Sequence, residues 1–166
     1  MAIDQLDRHE VFQFLRPDQV KKISDVAEVL ALAAGDTVYE KGTRADHFYI
    51  VLEGQVSLRL PGYKGISIQI DQLTTGAIFG SCVCFQLRDY SLDAQCTSDS
   101  RLLKISSAAL KELMEEDLVM GYGIQTYISR IYFQRYIDTM NKLQSIVLNL
   151  PLEAVQTEAT TVPKGT

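Results

Sequence analysis

A chain of 166 residues, 46% of them hydrophobic, is long enough for one domain with a real core, and that composition excludes disorder of the whole chain. A formal net charge of −5, with no Lys/Arg cluster longer than Lys21-Lys22, argues against nucleic-acid binding by this chain alone. Three cysteines make no disulfide framework, no apolar run approaches the ~20 residues that cross a bilayer, and the polar start MAIDQLDRHE holds no signal-peptide core, so the expectation is a cytoplasmic protein with reduced thiols and no membrane segment.

Residues 1–25 predict a helical lead-in. Val11, Phe12, Leu15, Val20 and Ile23 fall at helical spacing, and Pro17 interrupts them. Two short helices are expected, the second started by Pro17-Asp18. From 26 to 106 the texture changes to short runs of Val, Ile, Leu and Tyr separated by glycines. AEVLALAAGD and TVYEKG predict a strand, a turn and a strand. HFYIVLEGQVSLRL predicts one long strand, bent or bulged at Gly54. Ile66, Ile68 and Ile70 alternate with Ser67, Gln69 and Asp71, the period of a half-buried strand. SLDAQC and SRLLKIS add two more strands. Strands in this number, mostly without helices between them, predict a mainly β chain folded as an antiparallel sandwich or barrel.

Residues 107–148 return to helical periodicity. Ser106 or Ser107 is the expected N-cap of SSAALKELMEED. Ile124, Ile128, Ile131, Tyr132, Tyr136, Met140, Leu143 and Val147 then form one apolar stripe on a long helix over 118–148. A stripe of ~30 residues is longer than a small barrel can cover. The far end is expected to pair with the same helix of a second chain, giving a homodimer; packing entirely on its own domain is the alternative. Arg130, Arg135 and Asp138 fall near the stripe, so the seam is not a clean heptad. Residues 149–166 are polar and aperiodic, and a disordered tail is expected there.

The glycines carry a resemblance. Gly35, Gly42 and Gly54, the Leu52-Glu53-Gly54 signature, and Gly76 and Gly80 in TTGAIFG lie in register with a known pattern. From Val11 to Val147 the chain resembles the cyclic-nucleotide-binding domain of catabolite-activator-type regulators and of cyclic-AMP-dependent protein kinase regulatory subunits. The resemblance implies a jelly-roll barrel closed by helices, with a cyclic nucleotide as the ligand. The family's phosphate cassette runs Phe-Gly-Glu, an apolar stretch, then Arg and a small residue. Phe79, Gly80 and Ser91 match it, whereas Ser81 stands in place of the Glu and Tyr90 in place of the Arg. The resemblance therefore implies a cradle of backbone amides at Gly80, Ser81, Cys82 and Val83 without its usual charged helpers. A charge-assisted bond to phosphate is worth ~1.5–3 kcal/mol, so losing both side chains implies an affinity lower by about three orders of magnitude. Arg88, two residues before Tyr90 and on the same face if the segment is extended, is a replacement candidate; a solvated residue paired with Asp89 is the alternative. Tyr127 or Thr126 is a candidate to cover a bound base, with interface packing as the other reading.

Catalytic and metal readings find little support. His9 and His47 are too few for a cupin metal site or a hydrolase triad, and Cys82-x-Cys84 with Cys96 and His47 lacks paired zinc spacing. Three functional readings follow. One is a non-catalytic regulatory module sensing a cyclic nucleotide or other small anion and signalling through its C-terminal helix. Another is a degenerate domain used for dimerisation or protein docking. The third is the sensor part of a transcription regulator without its DNA-binding domain.

Overall fold

The computed structural model describes residues 12–80 and 87–148. Ser81, Cys82 and Val83 of the expected cradle, Cys84 of the metal reading, and the expected tail lie outside the described residues.

The described residues open with a hydrogen-bonded turn, Leu15 N–H donating to Phe12 O, followed by helix α1 (Pro17–Asp25). The first of the two expected helical pieces is a turn over residues 12–15, and its start at Val11 lies outside the described residues. Proline disfavours helical backbone at the residue before it, and Arg16 is extended at φ −73°, ψ 156°. Among the described residues eight strands follow: β1 (Ala27–Leu32), β2 (Thr37–Tyr39), β3 (His47–Glu53), β4 (Val56–Pro61), β5 (Ser67–Leu73), β6 (Ile78–Phe79), β7 (Asp93–Cys96) and β8 (Ser100–Ser106). Helices α2 (Ser107–Glu116) and α3 (Leu118–Leu148) end the described chain.

All strand pairs are antiparallel, in two four-stranded sheets ordered β1-β8-β3-β6 and β2-β7-β4-β5. The fold is mainly β, as expected, but the sheets remain two layers and do not join into a closed barrel. The alternation along β3 explains why the first sheet is covered on both sides. Phe48, Ile50 and Leu52 pack with Ile23, Leu110, Met120, Ile124 and Ile128 of the helices. Tyr49 and Val51 point the other way, into the core shared with Val56, Leu73, Phe79 and Ala94. A strand buried on both faces reads as a nearly unbroken apolar run, and FYIVL is such a run.

Gly54 does more than bend one long strand. At φ 88° it carries the chain from β3 in one sheet to β4 in the other, so HFYIVLEGQVSLRL is two strands. A Cβ there would collide with Asp99 O and Ser100 Oγ. The isoleucine alternation in β5 is also corrected. Ile66 and Ile68 are 68% and 57% exposed. β5 is an edge strand, and β7 backs its partner β4 only over Val56–Arg59, so the outer end of the β4–β5 hairpin extends beyond the sheet.

Ser106 is the N-cap of α2, its hydroxyl accepting from Ala109 N–H. Asp117 joins three helices. Its carboxylate caps α3 by accepting from Met120 N–H at 3.0 Å, and takes Gln19 Nε2 at 2.7 Å and Arg16 Nη2 at 3.3 Å from the α1 end. Those donors, the Met120 amide foremost, hold its pKa down at about 2. Along α3 the apolar stripe divides. Ile124 and Ile128 are buried against the first sheet, whereas Tyr136, Met140, Leu143 and Val147 are exposed, as are Phe133, Ile146 and Leu148 beside the stripe.

Candidate functional site

β6 is only two residues long, yet it sets one corner of a cavity. It ends at Phe79, and Gly80 then turns the chain at φ 72°, where a Cβ would stand 2.9 Å from His47 O. The second sheet and α3 supply the rest. Tyr39, Leu58, Ile70, Tyr90 and Ser91 come from or beside the sheet, and Tyr132, Arg135 and Tyr136 come from the helix. The cavity, open to solvent on one side, has a volume of about 670 Å³.

Tyr90 explains how a bulky residue at the expected arginine position leaves the cavity open. Its ring is stacked on Tyr39, 3.7 Å between centroids and 10° between planes. Its hydroxyl donates to His47 O at 2.8 Å and accepts from His47 N–H at 3.2 Å. These bonds pin the phenol to the start of β3, so Tyr90 forms part of the wall and is 5% exposed. Phe79 is fully buried behind that wall, 5.1 Å from the Tyr49 ring and 6.0 Å from Tyr39, where its role is packing.

The sequence-derived candidates therefore separate. Gly80, Tyr90 and Ser91 line the cavity. Phe79 lies in the core, and Ser81, Cys82 and Val83 fall outside the described residues. Arg88 lines a different hollow, with Arg44, His47 and Lys111. There its carbonyl accepts from Ala45 N–H, and Asp89 bridges to Arg44; this pairing aligns the segment with residues 44–45. In the same hollow, burial pushes the His47 imidazole below its ordinary pKa, with Lys104 adding to the shift. Tyr127 does not cover the cavity either. It is buried against the first sheet and stacks on Phe14 at 5.9 Å, while Tyr132 and Tyr136 face the cavity further along α3. Thr126 is exposed.

Arg135 is the residue that sequence reasoning passed over. Its Nε lies 3.1 Å from Asp71 Oδ2, its Nη2 donates to Ile78 O at 2.7 Å, and its guanidinium sits 5.3 Å from the Tyr132 ring centroid. Nη1 is buried and has no acceptor among the described residues. Lys142 donates to Ile70 O at 3.2 Å, and Asp138 accepts from Gln134 at 3.1 Å. With Arg135 and Lys142 set against Asp71 and Asp138, the charged lining is balanced. Any preference for an anion must then come from directed donors, since the described lining carries no net positive charge. The sequence did hold a signal: Arg135 follows Ile131 by four and Tyr132 by three, which puts a charge on the packed face of the helix.

Among the described residues no group of three or more His, Cys, Asp or Glu is placed to hold a metal ion. Cys96 is buried, and burial pushes its thiol pKa up, away from thiolate chemistry. No helix among the described residues is long and apolar enough to cross a membrane.

Comparison with known proteins agrees with this architecture. A family model for the cyclic nucleotide-binding domain matches residues 29–117. A Rhodopseudomonas palustris protein bearing a potassium-channel name is 27% identical over 111 residues, 66% of this chain; the match spans 26% of that protein's length. A Geobacter metallireducens structure bearing a cyclic-nucleotide-binding name superposes with a TM-score of 0.72 at 23% identity, covering 82% of this chain and 98% of that one. The sensor domain of the transcriptional regulator DNR from Pseudomonas aeruginosa gives 0.68 at 21% identity, covering 80% and 89%. At these identities the two structures show a shared fold.

Proposed function

Given that the chain belongs to the cyclic nucleotide-binding domain family, we propose that it is a non-catalytic regulatory module whose sensing site is the cavity between the second sheet and α3. The ligand class is a cyclic nucleotide or a nucleotide-sized anion with a flat ring. One observation carries the reading: the cavity keeps about 670 Å³ although Tyr90 replaces the family's arginine. That volume suits a small ligand, and tyrosine faces from both the sheet and the helix suit a planar ring. A regulator's sensor domain among the structural neighbours supports a sensing role, and α3 is the element that would report occupancy. A cytoplasmic setting, expected from the cysteine content, belongs to the same proposal.

Calorimetry against cyclic mono- and dinucleotides tests it. Binding heat is expected, with a rise in Tm equivalent to about 2.7 kcal/mol when the ligand is at 100 times its Kd. Absence of heat and of any Tm shift across the whole panel would overturn the reading in favour of a docking module.

The exposed apolar half of α3 favours a second reading that is compatible with the first. Phe133, Leu143, Ile146 and Leu148 are between 49% and 71% exposed. A second copy of the chain, related by a two-fold axis along this half, would cover them. Sedimentation equilibrium showing only monomer at high micromolar concentration would remove that proposal.

A further inference from the structure

We propose that Arg135 is the anion-recognising residue of the cavity: its Nη1 takes the ligand's acidic group while Asp71 and the Ile78 carbonyl hold the rest of the guanidinium in place. The inference rests on the sensing proposal above and names the contact by which the site would read charge.

The other candidates are committed elsewhere. The position expected to carry an arginine holds Tyr90, whose hydroxyl is committed to both backbone groups of His47. Arg88 opens into another hollow. Lys142, the other cation on the cavity wall, donates to Ile70 O, and its side chain lies at the exposed end of α3. Arg135 differs from these. A guanidinium stays charged at every relevant pH and presents its donors in a rigid plane. Two of its three nitrogens are occupied, Nε beside Asp71 at 3.1 Å and Nη2 on Ile78 O at 2.7 Å. The third, Nη1, is buried and has no acceptor among the described residues. A buried charged donor without a partner is costly, and an anionic oxygen supplies the acceptor it lacks. The held edges also determine where that oxygen sits. Ile78 lies two residues before Gly80, so the Ile78 carbonyl bond ties the guanidinium to the strand that leads into the glycine corner.

Asp71 has a defined part in this arrangement as a positioning residue. A carboxylate beside the site repels an anion through space, so simple electrostatics predicts tighter anion binding once it is removed. If Asp71 instead aims Arg135, its removal weakens binding. The two predictions have opposite signs.

The experiment measures cyclic AMP and cyclic GMP against adenosine and guanosine by calorimetry on the full chain, for wild type, Arg135→Gln, Arg135→Lys and Asp71→Ala. Each variant is checked for folding by circular dichroism. Wild type is expected to prefer the charged ligand of at least one pair. Arg135→Gln is expected to weaken that ligand roughly ten- to a hundredfold while moving its nucleoside less than about threefold, the loss of one charge-assisted contact. Arg135→Lys keeps the charge and loses the fork, and is expected to fall between the two. Asp71→Ala is expected to weaken the charged ligand. If wild type binds but the Arg135 variants keep its preference, or if Asp71→Ala tightens the anion, the inference is overturned and the sensing proposal stands. If wild type binds none of the four probes nor any other cyclic nucleotide, the sensing proposal fails and this inference fails with it.

Discussion

Tyr90→Phe offers the sharpest test of how the cavity stays open. The substitution keeps the ring stacked on Tyr39 at 3.7 Å and removes only the hydroxyl. That hydroxyl makes two bonds to one residue, at 2.8 Å to His47 O and 3.2 Å to His47 N–H. Each neutral hydrogen bond contributes ~1 kcal/mol net, and a buried polar group left without its partner costs ~1–3 kcal/mol. The 3.2 Å bond is the weaker of the two and the site is 5% exposed, so a loss of about 2 kcal/mol is expected. For a chain of this size that corresponds to a fall in Tm of about 4–8 °C. Urea unfolding followed by circular dichroism should show a lower midpoint with an unchanged slope. Ligand affinity should stay within about threefold, because the ring and not the hydroxyl forms the wall. A variant as stable as wild type to within about 0.5 kcal/mol would refute the reasoning, since the phenol would then not be anchored to β3.

Other substitutions probe the remaining parts. Gly54→Ala combines a left-handed backbone with a collision against Asp99 O and Ser100 Oγ; a loss of about 3–5 kcal/mol is expected by chemical denaturation, and a loss under about 1 kcal/mol would contradict the observed crossing. The folded-state pKa of Asp117 lies below its ordinary value of 3.8, at about 2, so its contribution to stability is present above about pH 4 and is lost as pH falls toward 2. The Tm gap between wild type and Asp117→Asn should therefore be open at pH 7 and close across that window; a gap independent of pH would be contrary evidence. Arg88→Ala is expected to leave cyclic-nucleotide affinity within about twofold, and a tenfold loss by calorimetry would return Arg88 to the site. A double substitution, Leu143→Glu with Ile146→Glu, should turn a wild-type dimer into a monomer in the ultracentrifuge.

Much of the fold could be read from local pattern, because turns and caps are local events. The glycines, the Ser106 cap and the extent of α3 belong to this class. β6 escaped notice because two residues cannot display a period, and it holds only Ile78 and Phe79. Ile66 and Ile68 misled because alternation records a strand's two faces without saying whether anything covers either one. The candidate site was less legible still. Its cassette could be aligned residue by residue, but whether Tyr90 fills the cavity depends on Tyr39 and His47, which come from other strands. Arg135 looked like a blemish on an apolar stripe because its partners, Asp71 and Ile78, belong to the sheets. No window of sequence contains both halves of such a contact.

Asp117 gives α3 the mechanics of an arm on a pivot. The carboxylate clasps the first turn of the helix and the α1 end together, whereas beyond the Lys142 bond to Ile70 O the last turn carries Ile146 and Leu148 exposed. At 1.5 Å per residue, Arg135 is about 27 Å from Asp117 and Leu148 about 46 Å, so the part of α3 beyond the packed residues Ile124 to Ile128 is the part that a push at the guanidinium would swing. Geometry alone would amplify a small adjustment at the cavity before any second molecule felt it. A distance measured from α1 to the tip of α3 would register that motion more strongly than one measured within the sheets.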